Sequence, residues 1–357
     1  MKSDDVFRKT PRAMGATSNL KFPEGNNNTK QETDFRMLHS KHNDPVSINN
    51  NVDRQYNDLF RKILEEGQWQ KNRTGLDSQC IFGEQIKMDL REGFPIFTTR
   101  KMPFEVFAGE LRCFIQGYTS KTDFKEHGCF WWESWCNPQK VPYGNDEETK
   151  ALMKSEDDLG VVYGYQWRSF SDPRFKRVLE VNRRPMNEDN ILYWKEVDGV
   201  DQLKILVEKI RAGIDDRRLI VNYWNPLALE HQGLPCCHYS FTVHLSPCGE
   251  FLDLKWNQRS VDLALGANNT LYGILAHLLA HECGRTARYL IASYENVHIY
   301  ENQVDVVKEQ LKRPTHKLPT LKLHTDKFND IFDWSHKHVE LVDYKHSGIL
   351  KYPQAAI

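Results

Sequence analysis

The sequence predicts an α+β fold, a single large mixed domain in which a sheet packs on helices. Two observations lead there. Runs with helical spacing and short alternating runs succeed one another without a strict βαβ rhythm, and no G-x-G-x-x-G fingerprint marks a doubly wound fold. With 357 residues, 39% of them hydrophobic and 27% charged, the chain has the composition of a soluble protein and can bury a sizeable core.

Residues 1–50 are rich in Asn, Lys, Ser, Asp and Pro, including Asn26-Asn27-Asn28 and Asn49-Asn50-Asn51. Too little there drives collapse, so an irregular or partly disordered extension is expected ahead of a main domain over 51–357. Tyr56, Leu59, Phe60, Ile63 and Leu64 recur at helical spacing, and Gly67 ends that helix. Arg73-Thr74-Gly75 reads as a turn, and 80–82 and 86–90 as two short strands. Pro103 opens an unusually apolar helix over 104–116, which Gly117 closes. Glu110 lies inside it. A buried carboxylate without a task is costly, which makes it a candidate site group, although beside Arg112 it also reads as part of a solvated face. Residues 128–135 carry Trp131, Trp132 and Trp135, 146–158 read as an exposed excursion, and 160–167 return to a packed segment. An amphipathic helix over 200–212 precedes strands at 219–223, 239–245 and 251–256. Residues 271–281 form a strongly apolar helix at the centre of the core, 289–297 read as strand or loop, and 314–323 lead into the tail.

The 48 basic and 49 acidic side chains leave a net charge of -1, so no global field favours nucleic acid, and a local cationic pocket for a small anion fits better. Eight cysteines in so long a chain make no disulfide scaffold, and no C-x-x-C pair suggests a metal. No apolar leader opens the sequence and no stretch is long enough to span a membrane, so a cytoplasmic protein is expected.

Chemistry concentrates at Cys236-Cys237-His238, just past Pro235. A thiolate is the strongest nucleophile available near neutral pH, and neighbouring positive charge favours it. Arg217-Arg218 lie about twenty residues upstream and Arg259 about twenty downstream; brought together, they would hold an anion and favour the thiolate. A lone cysteine is also among the most commonly buried residues, so the pair equally reads as core.

The segments Arg73-Thr74-Gly75, Gly109-Glu110-Leu111, Trp132-Glu133-Ser134-Trp135, Leu159 to Arg168, Asp216-Arg217-Arg218, Leu234 to His238, Gln258 to Asp262 and His298-Ile299-Tyr300 stand in this order. Together they make the chain resemble thymidylate synthase and its nucleotide hydroxymethylase relatives from about Tyr56 to the C-terminus. The resemblance implies a thymidylate-synthase-like catalytic domain that transfers a one-carbon unit from 5,10-methylenetetrahydrofolate to C5 of dUMP, without a metal. Cys237 would attack C6 of the ring. Glu110 would be the general acid/base, supported by His238 and Tyr163. Arg73, Arg259 and Ser260 would bind the phosphate, with Arg217 and Arg218 supplied by the partner of a homodimer. Asn268 would read the base, Gln258 would help bind the substrate, and His298 and Tyr300 would bind the sugar. Trp132, Trp135, Asp262, Leu234, Gly266 and the terminal Ile357 would form the folate side, the tail closing over both ligands. No DNA or membrane partner is implied.

The chain departs from the family in three places, one of them its Ala355-Ala356-Ile357 ending, and together they are expected to alter the cavity's surroundings. Leu265-Gly266-Ala267-Asn268-Asn269-Thr270 lacks the family's Pro-Phe pair, so the base-reading asparagine aligns with Asn268 if two residues are deleted, or with Thr270 if none are. The helix register favours Asn268, and an amide there suits uracil. Arg112-Cys113 replaces a large apolar residue and a tryptophan, a change expected to loosen or rehydrate the cavity. The product is therefore either dTMP, which the resemblance favours, or 5-hydroxymethyl-dUMP, with dCMP hydroxymethylation further off. A catalytically silent nucleotide- or RNA-binding relative is the remaining alternative; it would be expected to lack Cys237, Glu110 or Asp262, and all three are present.

Overall fold

The computed structural model describes residues 50–71, 75–172, 199–266 and 268–353, together with the backbone of 177–181 and 192–196. In chain order the helices are α1 (Asn51–Glu66), α2 (Phe104–Gln116), α3 (Lys121–Glu126), α4 (Glu147–Ser155), α5 (Tyr163–Arg168), α6 (Gln202–Arg211), α7 (Asn268–Glu282) and α8 (Val304–Gln310). The strands are β1 (Gln68–Gln70), β2 (Ser78–Asp89), β3 (Arg177–Val181), β4 (Leu192–Glu196), β5 (Ile220–Asn222), β6 (His238–Leu245), β7 (Phe251–Asp262), β8 (Thr286–Tyr300), β9 (Thr320–Leu323) and β10 (Val339–Val342). Six of them form one mixed sheet in the order β1-β2-β8-β7-β6-β5. The expected α+β arrangement is what the chain adopts.

Among the described strands only β7 and β8 run parallel. A parallel pair needs a crossover, and α7 supplies it. This helix is apolar on all sides and almost wholly buried, as a helix in mid-core must be. On β7, Leu252, Leu254, Trp256 and Gln258 alternate as its most buried residues.

The two short strands expected at 80–82 and 86–90 are a single strand, β2. Gly83 lies within it at φ +83°, a left-handed conformation glycine adopts without a Cβ clash, and pairing with β8 resumes at Glu84. The excursion at 146–158 contains α4, capped by the Asp146 side chain and burying only Met153. The strand expected at 251–256 continues to Asp262, and the 289–297 segment is part of the fifteen-residue β8. Helix α2 starts after Pro103 and stops at a left-handed Gly117, as its sequence requires.

One buried node was not foreseen. The Asp53 carboxylate, 1% exposed, accepts from Asn50 Nδ2 and from the Thr98 amide and hydroxyl, fastening α1 to the 97–100 segment. Among the described residues, no helix is long and apolar enough to cross a membrane.

Candidate active site

A cavity of 710 Å³ is lined by residues of α2, the start of β6, the ends of β7 and β8, and the first turn of α7. Pairing of β6 with β7 sets His238 opposite Gln258, and the Arg259 amide donates to the Cys237 carbonyl at 2.8 Å. The downstream arginine thereby comes beside the Cys-His site. Its Nε donates to Cys236 O and its Nη2 to Pro235 O, while the guanidinium stacks over Trp224.

The two thiols are separated by a single peptide bond yet meet different surroundings. Cys236 is fully buried, and burial pushes its thiol up to about 12. Cys237 lines the cavity and keeps part of its surface exposed. Burial raises its pKa too, opposed by the Arg259 charge and the Tyr163 hydroxyl. The expectation that arginine would favour the thiolate is therefore met only in part: burial outweighs the Arg259 guanidinium. Tyr163 is held by the Cys237 amide, which donates to its hydroxyl at 2.7 Å.

Glu110 is buried, so the solvated-face reading fails. Its Oε1 accepts from both Trp131 Nε1 (2.9 Å) and Trp132 Nε1 (2.8 Å). Burial raises its pKa to about 7 against the pull of these indoles, a value suited to exchanging protons near neutral pH. Sequence reasoning passed over Trp131, whose ring is 42% exposed, packs on Phe107 and lines the cavity. Neighbouring indoles, which can only donate, beside a carboxylate were the available signal.

Asp262 also lines the cavity. Burial raises its pKa to about 6, while hydrogen bonds from Gln303 Nε2 and the Ala264 amide counter the shift. His298 and Tyr300 lie at the end of β8 with ring centroids 5.2 Å apart, and burial holds His298 down to about 4. Burial likewise holds His238 at about 3, so this imidazole is neutral. Ser260, Gln258, Leu234, Trp132, Trp135 and Gly266 complete the wall. Gly266 has φ +54°, and a Cβ there would fall 1.9 Å from the Phe97 ring. Arg100, given no role in the sequence reading, is buried in the wall, bonded to the carbonyls of Ala264 and Leu265 and stacked on Tyr352 of the tail.

In the shortened loop Asn268 reaches the cavity, whereas Thr270 is buried with its hydroxyl unpartnered. Arg112 and Cys113 do not line the cavity. Arg112 donates to Phe332 O, and Cys113 is sealed in the core near Asp123 O, so neither touches the cavity directly. Arg217 and Arg218 are exposed and also lie outside the lining, Arg218 paired with Asp216. Arg73 and Ile357 fall outside the described residues.

A thiol, a buried acid and a guanidinium share one cavity, a combination found in enzyme sites. The family model described as Thymidylate synthase matches residues 54–356. The chain is also 33% identical over 312 residues to the thymidylate synthase of Malacoplasma penetrans (strain HF-2), covering 84% of this chain and 98% of that protein. The chain belongs to the thymidylate synthase family.

Proposed function

We propose that the protein transfers a one-carbon unit from a reduced folate to C5 of dUMP and releases dTMP and dihydrofolate. The observation that carries this reading is the shared cavity, on which Cys237, Glu110 and the amide of Asn268 all open. Once its S–H proton has passed to water, Cys237 Sγ bonds to C6 of the uracil ring, the C5–C6 π electrons move toward C5 and O4, and C5 becomes nucleophilic. After C5 has taken the new carbon, loss of the C5 proton expels the thiolate from C6. Glu110 holds or yields a proton beside the ring, helped by its raised pKa.

Hydrogen bonding around Asn268 supports uracil. The Trp256 indole, which can only donate, points at Gln258 Oε1 (3.3 Å), and Asn268 Nδ2 donates to that same oxygen at 2.8 Å. Turning the Asn268 amide over would set oxygen against oxygen. Its Oδ1 is therefore available to the N3–H of uracil, whereas cytosine would present a lone pair at N3.

The residues present fit a folate: three indoles offer planar apolar wall, and Asp262 offers a carboxyl that burial keeps readily protonated. When bound, the folate supplies the one-carbon unit and the hydride. Asp262, Leu234, Trp132, Trp135 and Gly266 hold it, and the tail reaching through Leu350 and Tyr352 excludes water. Arg259 and Ser260, with Arg73, hold the phosphate. Arg217 and Arg218, exposed on their own chain, complete the partner's phosphate site in a homodimer.

Hydroxymethylation is the second reading, favoured by Leu265, which is 55% exposed in the shortened loop. The buried placement of Cys113 supports methylation instead. Incubation with methylenetetrahydrofolate and either dUMP or dCMP, followed by product masses, tests both. A methyl product from dUMP alone is expected; a product heavier by one oxygen, or one from dCMP, overturns the proposal.

A further inference from the structure

Three polar side chains meet behind the wall of the cavity. Tyr223 follows β5, His238 opens β6 and Tyr272 lies in α7; all are buried, and the two tyrosines do not line the cavity. His238 Nδ1 is 2.7 Å from the Tyr272 hydroxyl and 3.4 Å from that of Tyr223, and the two hydroxyls bond each other. Phe114 and Tyr163 pack against the imidazole, and among the described residues neither hydroxyl of the pair has another hydrogen-bond partner.

We infer that Tyr223 and Tyr272 fix the proton of His238 on Nε2, so that the imidazole offers the cavity an N–H donor and not a lone pair. The argument is a count of hydrogens. With Nδ1 bare, Tyr223 donates to the Tyr272 oxygen and Tyr272 donates to Nδ1, and every hydrogen has an acceptor. With a hydrogen on Nδ1, that hydrogen takes the Tyr272 oxygen and Tyr272 turns to Tyr223. The Tyr223 hydrogen is then stranded in dry core, a penalty that disfavours this tautomer roughly tenfold or more. A second ring proton is excluded separately, because burial holds the imidazole neutral and, among the described residues, no acidic side chain offsets that burial.

His238 thus acts as a specificity group. Its Nε2–H donates to a ligand oxygen and rejects an amino group presented there. Tyr223 and Tyr272 are positioning residues that act through it. The tautomer follows from hydrogen-bond geometry; its use on a pyrimidine carbonyl rests on the function proposed above.

The test is ¹⁵N NMR of the full chain labelled at histidine, with His238 assigned by the signal lost in His238→Gln. A pyridine-like Nδ1 and a pyrrole-like Nε2, unchanged from about pH 5 to about pH 8, are expected. A pyrrole-like Nδ1, or a ring that gains a second proton in that range, overturns the inference. In the Tyr223→Phe/Tyr272→Phe protein both donors to Nδ1 are gone, and a mixture of tautomers should replace the single one. A single Nε2–H form there would show that the phenols do not set it. Should the double variant not fold, Tyr272→Phe leaves the Tyr223 hydroxyl as donor to Nδ1, and the same count of hydrogens expects a single Nε2–H form; an Nδ1–H form or a mixture there would overturn the inference. The spectra need no turnover: a wrong tautomer leaves the one-carbon reading standing, and an inactive protein with the expected tautomer does the reverse.

Discussion

Replacing Glu110 with Gln should make the protein less active and, above neutral pH, more stable. The side chain is buried, and its carboxyl titrates near 7 where an ordinary glutamate titrates at 4.5. At about 1.4 kcal/mol per pH unit, that difference is worth about 3 kcal/mol of folding stability. The sign follows from which state lets go of its proton first. The unfolded chain releases it near 4.5 and the folded protein only near 7, so the contribution is complete below about 4.5 and lost as pH rises to about 7. The amide that Glu110→Gln introduces would have no proton to release, and its oxygen can still accept from both indoles. Urea unfolding of both proteins at matched concentration, from about pH 4 to about pH 8, should therefore show the wild type losing about 3 kcal/mol relative to Glu110→Gln. Turnover should fall by about 10²–10⁴-fold. Parallel stability curves across that window would refute the argument, because they would mean that Glu110 ionises as easily folded as unfolded.

Cys237→Ala should lose turnover by at least about 10³-fold while still binding dUMP, whereas Cys236→Ala should keep turnover, its thiol being walled off in the core. Nucleotide binding by fluorescence titration, beside a turnover assay, separates the two. Arg217→Ala and Cys237→Ala, each inactive alone, should recover about a quarter of wild-type activity when mixed as equal parts of an exchanging dimer. Demonstrated exchange without recovery would mean that each chain builds its phosphate site unaided.

Legibility in the sequence followed how local each cause was. Helix α2 could be placed to the residue because proline and glycine act on their own backbone. β2 was divided in two because a glycine that bends a strand and one that ends it look alike until pairing with β8 is known. The burial of Glu110 depended on which side of α2 faces the cavity and its indoles. For the same reason Arg112 and Cys113, two and three residues further on, point elsewhere and stay out of the cavity's lining. Cys237 was found through neighbouring motifs. Tyr223 and Tyr272 were not, since a phenol in an apolar run looks like packing until its hydroxyl is seen to meet an imidazole.

The single parallel pairing in the sheet sets Ser260 opposite Asn296 and Asp262 opposite His298. A slip of one residue would displace every one of these groups at once, so the row is inherited whole or not at all. Residues 264–266 follow that ladder on the way to α7. Leu265, which lines the chamber from this stretch, can change without disturbing that register, so that only one side of the chamber is remoulded. Selectivity and reaction chemistry can therefore drift at separate rates within one scaffold.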